Sequence, residues 1–398
     1  MTVETTAQAP GVEELLDRVA QIRPIIERNA PEADAERRIP EESIQALSDA
    51  GLFKITVPRR FGGYEVPIWI KMRVSAAVGE CDGATGWVMT LINVCNWLGG
   101  VFSDQTQHDI WGENPGARIA GVLNPSPDVR KVDGGYEVSG RWPYASGSLH
   151  ADWALIGMLV PDESGEVVDQ ALAMAPMSDL TIEDTWFVAG MKGTGSNTLV
   201  ADKIFVPEHR TLSVPKAIEN QYATPHTEEV AYRASFIPVL TLVLGGPQLG
   251  MGKAALDLVL SKAGRRGITY SFFERQTDSV AFQLDVAKAA TLVDSAWLHM
   301  ERGAADIQRA AEAGVPLPVL ARARVKQDTA HGIARVREAI DILLSAHGAA
   351  SFAEVSALQR IWRDSATAGR HAVIDPAVNL EVYGKALLGI EEQITPLL

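Results

Sequence analysis

The chain has 398 residues, of which 46% are hydrophobic and 22% are charged. Its 36 Lys and Arg residues are outnumbered by 50 Asp and Glu residues, so the formal net charge at pH 7 is −14. This composition is typical of a globular protein of two or three domains, and the charge argues against nucleic acid or a membrane surface as a partner, since both need clustered positive charge.

Nothing in the sequence predicts export or membrane insertion. No apolar run reaches the ~18 residues of a membrane span, and the first residues lack the basic start and apolar middle of a signal peptide. Cys81 and Cys95 are isolated, so they form neither a disulfide framework nor a four-ligand zinc site. A cytoplasmic location is therefore expected.

The first part of the chain, up to about residue 115, is predicted to be helical. Pro40 is followed by two acidic residues, which suits a first helical turn, and Gly51 ends the apolar pattern that follows. A second helix is predicted to start near Gly83 and to turn Trp87 and Cys95 inward.

The middle of the chain is predicted to be β structure. Short β-rich runs such as 135–138, 153–160 and 198–200 are separated by Gly, Pro and Asp. Their spacing favours an antiparallel barrel or sandwich over alternating strands and helices.

From residue 231 onward, three long helical segments predict an up-down bundle whose apolar faces also serve as subunit contacts. The chain is thus predicted to be α+β and mostly α. The predicted domains are an N-terminal helical domain (1–115), a middle β domain (116–225) and a C-terminal helical bundle (226–398).

Metal and nucleotide-loop motifs are not found. The eight histidines show no His-x-x-x-His spacing and no Glu partner at metal spacing, so no metal site is predicted. The glycine-rich segment 190–196 precedes a strand instead of opening a helix, and it is therefore interpreted as a β-turn.

The segment 140–153 combines aromatic residues with Ser146-Gly147. It offers a flat apolar wall, a hydroxyl and an accessible backbone amide, which together suit a planar heteroaromatic ring. Taken alone, the segment is better explained as an ordinary hairpin with a core tryptophan.

A second cluster lies near the end of the chain, where Arg360 and Arg363 precede Asp364 and His371. The arginines could be structural ion pairs or could hold phosphate. His371 lies close to Pro376, where a helix must end, and an imidazole at such a point can act as an acid, a base or a hydrogen-bond donor.

Together these segments resemble the acyl-CoA dehydrogenase superfamily, and more closely its group D oxygenases, the flavin-dependent monooxygenase components of two-component systems. The similarity covers nearly the whole chain. Its marks are Phe61-Gly62-Gly63, the segments 83–87, 135–153, 188–198 and 204–207, and Arg360-x-Trp362-Arg363-Asp364 with His371. The resemblance implies an acyl-CoA dehydrogenase-like fold with a C-terminal four-helix bundle, assembled as a homotetramer.

The resemblance also implies site residues. Ser146 falls where the superfamily places a hydroxyl at the N5 and O4 edge of a flavin, and His371 is the second catalytic candidate. Arg275 resembles an arginine that reaches the cofactor phosphates, often across a subunit boundary. The implied cofactor-binding residues are Asn124, Trp142, Tyr144, Ser146, Arg275 and Gly348.

Two departures from relatives bear on the reaction. Dehydrogenases of the familiar type carry a Glu base shortly after the Arg-Asp pair, whereas this chain offers His371. Phenol hydroxylases of the oxygenase branch often carry a His before Asn-Trp, whereas this chain has Cys95-Asn96-Trp97. These three residues are the predicted substrate-binding positions. The cysteine leaves the substrate class open, since it would suit a substrate that needs no phenol deprotonation, such as an indole, or a pocket of different shape.

The implied activity is that of a monooxygenase that uses reduced flavin and O2, through a flavin C4a-hydroperoxide, to hydroxylate an aromatic or polycyclic small molecule. Reduced FAD is favoured over FMNH2 because of Arg275. A separate NAD(P)H:flavin reductase would supply it by diffusion. The alternatives are an N-oxygenase of an amine or amino sugar, an acyl-CoA dehydrogenase and a non-enzymatic assembly protein.

Overall fold

The fold is known from a computed structural model that describes residues 9–126 and 128–398. Helices come first, strands follow, and helices end the chain, which is the order that the sequence predicts. The predicted domain limits fall after the first five helices and within the connector after residue 218, and they stay a prediction.

The N-terminal helices pack around one nearly buried helix, α4. Asp82 accepts a hydrogen bond of 2.9 Å from the Thr85 N–H and thereby caps its first turn. Because α4 is apolar on all sides, it carries residues into the centre of the protein. The five helices are α1 (Val12–Glu36), α2 (Glu41–Asp49), α3 (Ile68–Cys81), α4 (Gly83–Val101) and α5 (Asp104–Trp111).

The strands form a sandwich of two four-stranded sheets, ordered β1-β4-β5-β8 and β2-β3-β7-β6. They are β1 (Ile119–Ser126), β2 (Val129–Val132), β3 (Gly135–Ala145), β4 (Trp153–Pro161), β5 (Val167–Pro176), β6 (Thr181–Glu183), β7 (Asn197–Pro207) and β8 (Thr211–Ser213). The predicted antiparallel sandwich is present, with one departure, since β1 and β4 are parallel. They can be parallel because β2 and β3, which connect them, lie in the other sheet.

The C-terminal part is a bundle built around the long helices α9 and α10. The helices of this part are α6 (Val214–Ile218), α7 (Phe236–Leu242), α8 (Gly245–Ala263), α9 (Val280–Ala313), α10 (Val319–His347), α11 (Ala357–Ala368) and α12 (Pro376–Leu388). Helices α8 and α11 also pack against α4, so the bundle contacts the N-terminal helices directly.

One stretch corrects the sequence expectation about apolar runs. Among the described residues, Phe236–Ala263 is long and apolar enough for a membrane span, with a mean hydropathy of 1.2 over its most apolar window. Since 78% of that window is buried inside the protein, the stretch serves as a core helix.

Candidate active site

Ser146 lies immediately after β3, where the sandwich meets α4. Its side chain is buried, and its Oγ accepts a hydrogen bond of 3.2 Å from Trp87 Nε1 on α4. The next residue, Gly147, has a φ of +78°, and a Cβ there would lie 3.3 Å from two side chains of α4. Glycine therefore allows the turn that presses Ser146 against the helix.

A chain of hydroxyl groups connects Ser146 to the backbone before β7. Ser146 Oγ lies 2.7 Å from Ser196 Oγ, which lies 2.6 Å from Thr194 Oγ1. Thr194 Oγ1 in turn donates a hydrogen bond of 2.8 Å to the carbonyl oxygen of Met191. All three hydroxyls are buried, so their mutual contacts replace hydrogen bonds to water.

Two buried carboxyl groups lie behind this hydroxyl chain. Asp364 of α11 accepts a hydrogen bond of 2.5 Å from the Met191 N–H. Burial, reinforced by the nearby Asp82 carboxylate, raises the pKa of Asp364 to about 7. Burial also raises the pKa of Asp82, although Arg360 Nε lies 3.7 Å from its Oδ1. Asp364 is therefore partly protonated at neutral pH.

His371 reaches the same region from the other side. Its ring centroid lies 6.1 Å from that of Trp87. The Val373 N–H donates to its Nδ1 over 3.4 Å, so the proton of the neutral ring is on Nε2. One side of His371 is solvent-exposed, but the surrounding protein desolvates the ring and lowers its pKa, so it is neutral at pH 7. It is thus a neutral hydrogen-bond donor.

Two of the predicted cofactor-binding residues near this region, Tyr144 and Asn124, face solvent. Tyr144 is 70% exposed and has a φ of +70°, a rare conformation for a bulky residue. Its ring contacts Trp186 edge to face, with centroids 5.9 Å apart. The exposed ring therefore stands two residues from Ser146 and can contact a planar ligand.

Trp142 does not face this surface. It is 1% exposed and lies in the core between the two sheets, where its Nε1 donates a hydrogen bond of 2.8 Å to Gly157 O. The hairpin with a core tryptophan, the alternative weighed for this segment, describes Trp142 correctly. Of the predicted aromatic wall, only Tyr144 is retained.

The three predicted substrate-binding residues are buried and have structural partners. Asn96 Nδ2 donates a hydrogen bond of 2.9 Å to Phe53 O, and Asn96 Oδ1 accepts one of 3.2 Å from the Ile119 N–H. These two bonds join α4 to its neighbours. Trp97 Nε1 donates 2.8 Å to a backbone carbonyl. Burial raises the pKa of Cys95 to about 12, so its thiol is inert. Their predicted role in substrate binding stays a prediction.

Trp97 does line a small internal cavity of about 20 Å³. Lys71 also lines it, with its side chain buried, and burial lowers the pKa of this amine to about 7. Among residues 9–126 and 128–398, the Lys71 Nζ has no hydrogen-bond partner. The cavity has room for about one water molecule.

Arg275 and Gly348 lie together at a different corner of the molecule. Gln276 Nε2 donates 3.0 Å to Ala346 O, which joins the loop before α9 to the end of α10. Arg275 is exposed and forms an ion pair of 2.9 Å with Asp278. Gly348 has a φ of +85° and open space where a Cβ would lie. Among the described residues of one chain, no side-chain hydrogen bond or ion pair joins Arg275 to Ser146, whose hydroxyl is bonded to Trp87 and Ser196.

The arginines of α11 are structural. Arg363 pairs with Asp34 of α1 at 3.0 Å, and Arg360 pairs with Asp82. Of the two alternatives weighed for them, the ion-paired one describes the structure.

Sequence reasoning missed Trp87, Thr194 and Ser196 as site residues. The signal is present in Gly193-Thr194-Gly195-Ser196, which the sequence predicts to be a β-turn and which belongs to one of the segments that carry the family resemblance. Because Ser146 and Ser196 are 50 residues apart, their contact follows from the pairing of β3 with β7 and from no local pattern.

Comparison with known proteins gives a consistent result over almost the whole chain. Residues 13–111 match the acyl-CoA dehydrogenase N-terminal domain and residues 242–376 match the acyl-CoA dehydrogenase C-terminal domain. The flavin-dependent monooxygenase oxygenase subunit HsaA of Rhodococcus jostii (strain RHA1) is 34% identical, over 94% of this chain and 98% of the relative.

Two further similarities have nearly the same extent. The oxygenase component of the FADH(2)-dependent resorcinol hydroxylase of Rhizobium sp. (strain MTP-10005) is 31% identical over 95% of this chain and 94% of the relative. The structure of XiaF from Streptomyces sp. in complex with FADH2 and glycerol superposes with a TM-score of 0.92 at 35% identity, covering 97% of this chain and 98% of XiaF.

Proposed function

We propose that this protein hydroxylates an aromatic small molecule in an active site that contains Ser146. The chain belongs to the acyl-CoA dehydrogenase superfamily, in its branch of flavin-dependent monooxygenase oxygenase components. The predicted fold class and the predicted enzyme class are confirmed by this membership. The substrate-level statement, the reduced-flavin supply and the residue roles are our proposals.

The observation that carries the proposal is the pair of polar groups beside Trp87, together with an exposed aromatic ring two residues from one of them. Ser146 offers a hydroxyl, His371 offers an Nε2–H, and the exposed Tyr144 offers an aromatic face. These groups fit a flavin, whose ring is planar and apolar with polar atoms along its edge. When bound in its reduced form, a flavin activates O2 and supplies one oxygen atom to an electron-rich substrate.

The protein's part in this reaction would be to hold protons and to exclude water. Ser146 would meet the N5 edge of the flavin, and His371 would donate its Nε2–H to the oxygen being transferred or to the substrate. Because the pKa of His371 is lowered, it stays a neutral donor across the neutral range. The buried wall behind Ser146 would keep water away from that edge.

A dehydrogenase reaction has less support. The first carboxylate after Asp364 in the sequence is Asp375, which caps α12 by accepting 3.0 Å hydrogen bonds from the N–H groups of Ala377 and Val378. A carboxylate engaged as a cap is poorly placed to act as the Glu base of a dehydrogenase.

We propose reduced FAD as the cofactor, with FMNH2 as the alternative. The corner formed by Arg275 and Gly348 has an exposed guanidinium and an open glycine turn, which suit the phosphates and tail of a dinucleotide. Since no described side-chain hydrogen bond or ion pair joins Arg275 to Ser146 within one chain, this corner would serve the site of a neighbouring subunit.

We also propose a homotetramer, because the Arg275 and Gly348 corner would serve a neighbouring subunit and because apolar side chains are exposed on the surface of the single chain. Large apolar side chains are exposed on α9 and α12 and near Arg275, and these are Leu284, Leu298, Leu387, Leu388 and Phe272. Exposed apolar area of this kind marks protein contacts. The proposed reductase would be a transient partner, and the proposed location is the cytoplasm.

The proposal is tested by supplying the protein with chemically reduced FAD and O2 together with indole, a phenol or an amine. Mass spectrometry of an indole or phenol product that has gained one oxygen atom supports it. Oxygenation of the amine alone would transfer the assignment to an N-oxygenase, and oxidation of an acyl-CoA without O2 incorporation would restore the dehydrogenase.

A further inference from the structure

The hydroxyl chain that ends at Ser146 has a direction fixed by its far end. A carbonyl oxygen can only accept, so the 2.8 Å contact between Thr194 Oγ1 and Met191 O uses the single hydroxyl proton of Thr194. The same carbonyl accepts a 2.9 Å hydrogen bond from Trp186 Nε1. On its other side, the Met191 N–H is bonded to Asp364, so this segment is held at both ends.

The bond to the Met191 carbonyl then determines which residue is the donor at each remaining contact of the hydroxyl chain. With its proton used, Thr194 must accept from Ser196 across their 2.6 Å contact. Ser196 has then used its own proton and must accept from Ser146 across 2.7 Å. Reversing either bond would place two lone pairs against each other at one of these contacts.

Ser146 is consequently left without a proton to offer. Its hydroxyl hydrogen points toward Ser196, and one lone pair accepts from Trp87 Nε1 at 3.2 Å. The second lone pair has no partner among the described residues, so what Ser146 can present to a ligand is an acceptor.

We propose that Thr194 and Ser196 are positioning residues that make Ser146 an obligate acceptor, so that the site binds reduced FAD in preference to oxidised FAD. This inference rests on the proposed function, which places the flavin N5 edge at Ser146. Reduced flavin carries a hydrogen on N5 and can donate it to Ser146, whereas N5 of oxidised flavin has a lone pair that would face the lone pair of Ser146.

Interrupting the hydroxyl chain should free the O–H of Ser146 to donate to the ligand. In Ser196→Ala, Ser146 loses its acceptor and can rotate its hydrogen toward the ligand. In Thr194→Val, Ser196 loses its acceptor and can donate to Ser146, with the same result. Thr194→Ser keeps the hydroxyl and should behave like the native protein.

The test measures dissociation constants for oxidised and reduced FAD under anaerobic conditions, by equilibrium dialysis on the full-length protein. We expect the ratio of the oxidised to the reduced constant to fall roughly tenfold in Ser196→Ala and Thr194→Val, the usual effect of one reversed hydrogen bond. Thr198→Val is the matched control. The Thr198 hydroxyl is hydrogen-bonded to the Thr185 hydroxyl at 2.8 Å and is not part of the hydroxyl chain that ends at Ser146. It should leave the ratio unchanged.

The ratio separates positioning from general loss of structure, since a distorted site weakens binding of both redox forms. If the ratio of the two dissociation constants is unchanged in both Ser196→Ala and Thr194→Val, the inference is overturned, even if the affinities for oxidised and reduced FAD both fall. An equal change of the ratio in Thr198→Val also overturns it. If the native protein binds neither form of FAD and neither form of FMN, the proposed function fails, and the inference fails with it.

Discussion

The indole N–H of Trp87 donates a 3.2 Å hydrogen bond to the Oγ of Ser146, across 59 residues of sequence. The same ring lies 6.1 Å from the ring of His371. One side chain of a buried helix therefore lies beside both residues that we propose to act on flavin and oxygen.

Trp87→Phe keeps an aromatic ring but removes the N–H. We expect product formed per O2 consumed to fall by about tenfold, because Ser146 keeps its bond to Ser196 but loses the Trp87 hydrogen bond that holds its Oγ against α4. The measurement is product and hydrogen peroxide from the same reaction. An unchanged ratio would mean that Trp87 only fills space.

His371→Ala should leave O2 consumption in place while product falls ~10²-fold, the usual scale for a positioned proton donor. His371→Gln retains a donating N–H group and should recover part of the loss. Equal product yields from the alanine variant and the native protein would make His371 a structural residue that only caps the following turn.

Asp364 predicts how stability depends on pH. Because its pKa is raised from 3.8 to about 7 in the folded protein, the native state holds an extra proton between these values. The stability of the native protein should therefore decrease as pH rises from about 4 to 7.

Asp364→Asn removes this proton and should weaken that dependence. We compare the free energy of unfolding of the variant with that of the native protein. The difference, variant minus native, should be larger at pH 8 than at pH 4 by at least about 1 kcal/mol. Urea titrations at a series of pH values measure it. Parallel curves would show that Asp364 ionises normally despite Asp82.

Lys71→Met should stabilise the protein at neutral pH by about 1–2 kcal/mol, because it removes a buried amine with no described partner. The pKa of Lys71 is lowered from 10.5 to about 7, so the advantage should shrink as pH rises through that window. Lys326→Met is the control, because Lys326 donates to Leu397 O and its loss leaves that carbonyl unpaired. A destabilised Lys71→Met would indicate a hydrogen-bonded water in the cavity.

The order of the three parts could be predicted from the sequence because the apolar period changes where the structure changes. Ser146 could be placed after a strand, but its role at the edge of a flavin follows only from the family resemblance and stays a prediction. The purely local signals ended there.

Two features of the structure could not be predicted from the sequence, for physical reasons. Strand alternation breaks between Trp142 and Ala145, where the register with β7 shifts, so neighbouring aromatics face different surroundings. Helix α4 is apolar on every side, so periodicity could not separate Cys95 and Trp97, which face the core, from Trp87, which faces the site.

The most direct test of the account is a single-turnover reaction of reduced FAD, isotopically labelled O2 and an aromatic substrate, comparing the native protein with Ser146→Ala. The account predicts labelled hydroxylated product from the native protein. From the variant it predicts a fold that is intact by circular dichroism, with product reduced about tenfold or more and hydrogen peroxide increased to match. Equal labelled product from both proteins, or product without the label, would contradict it.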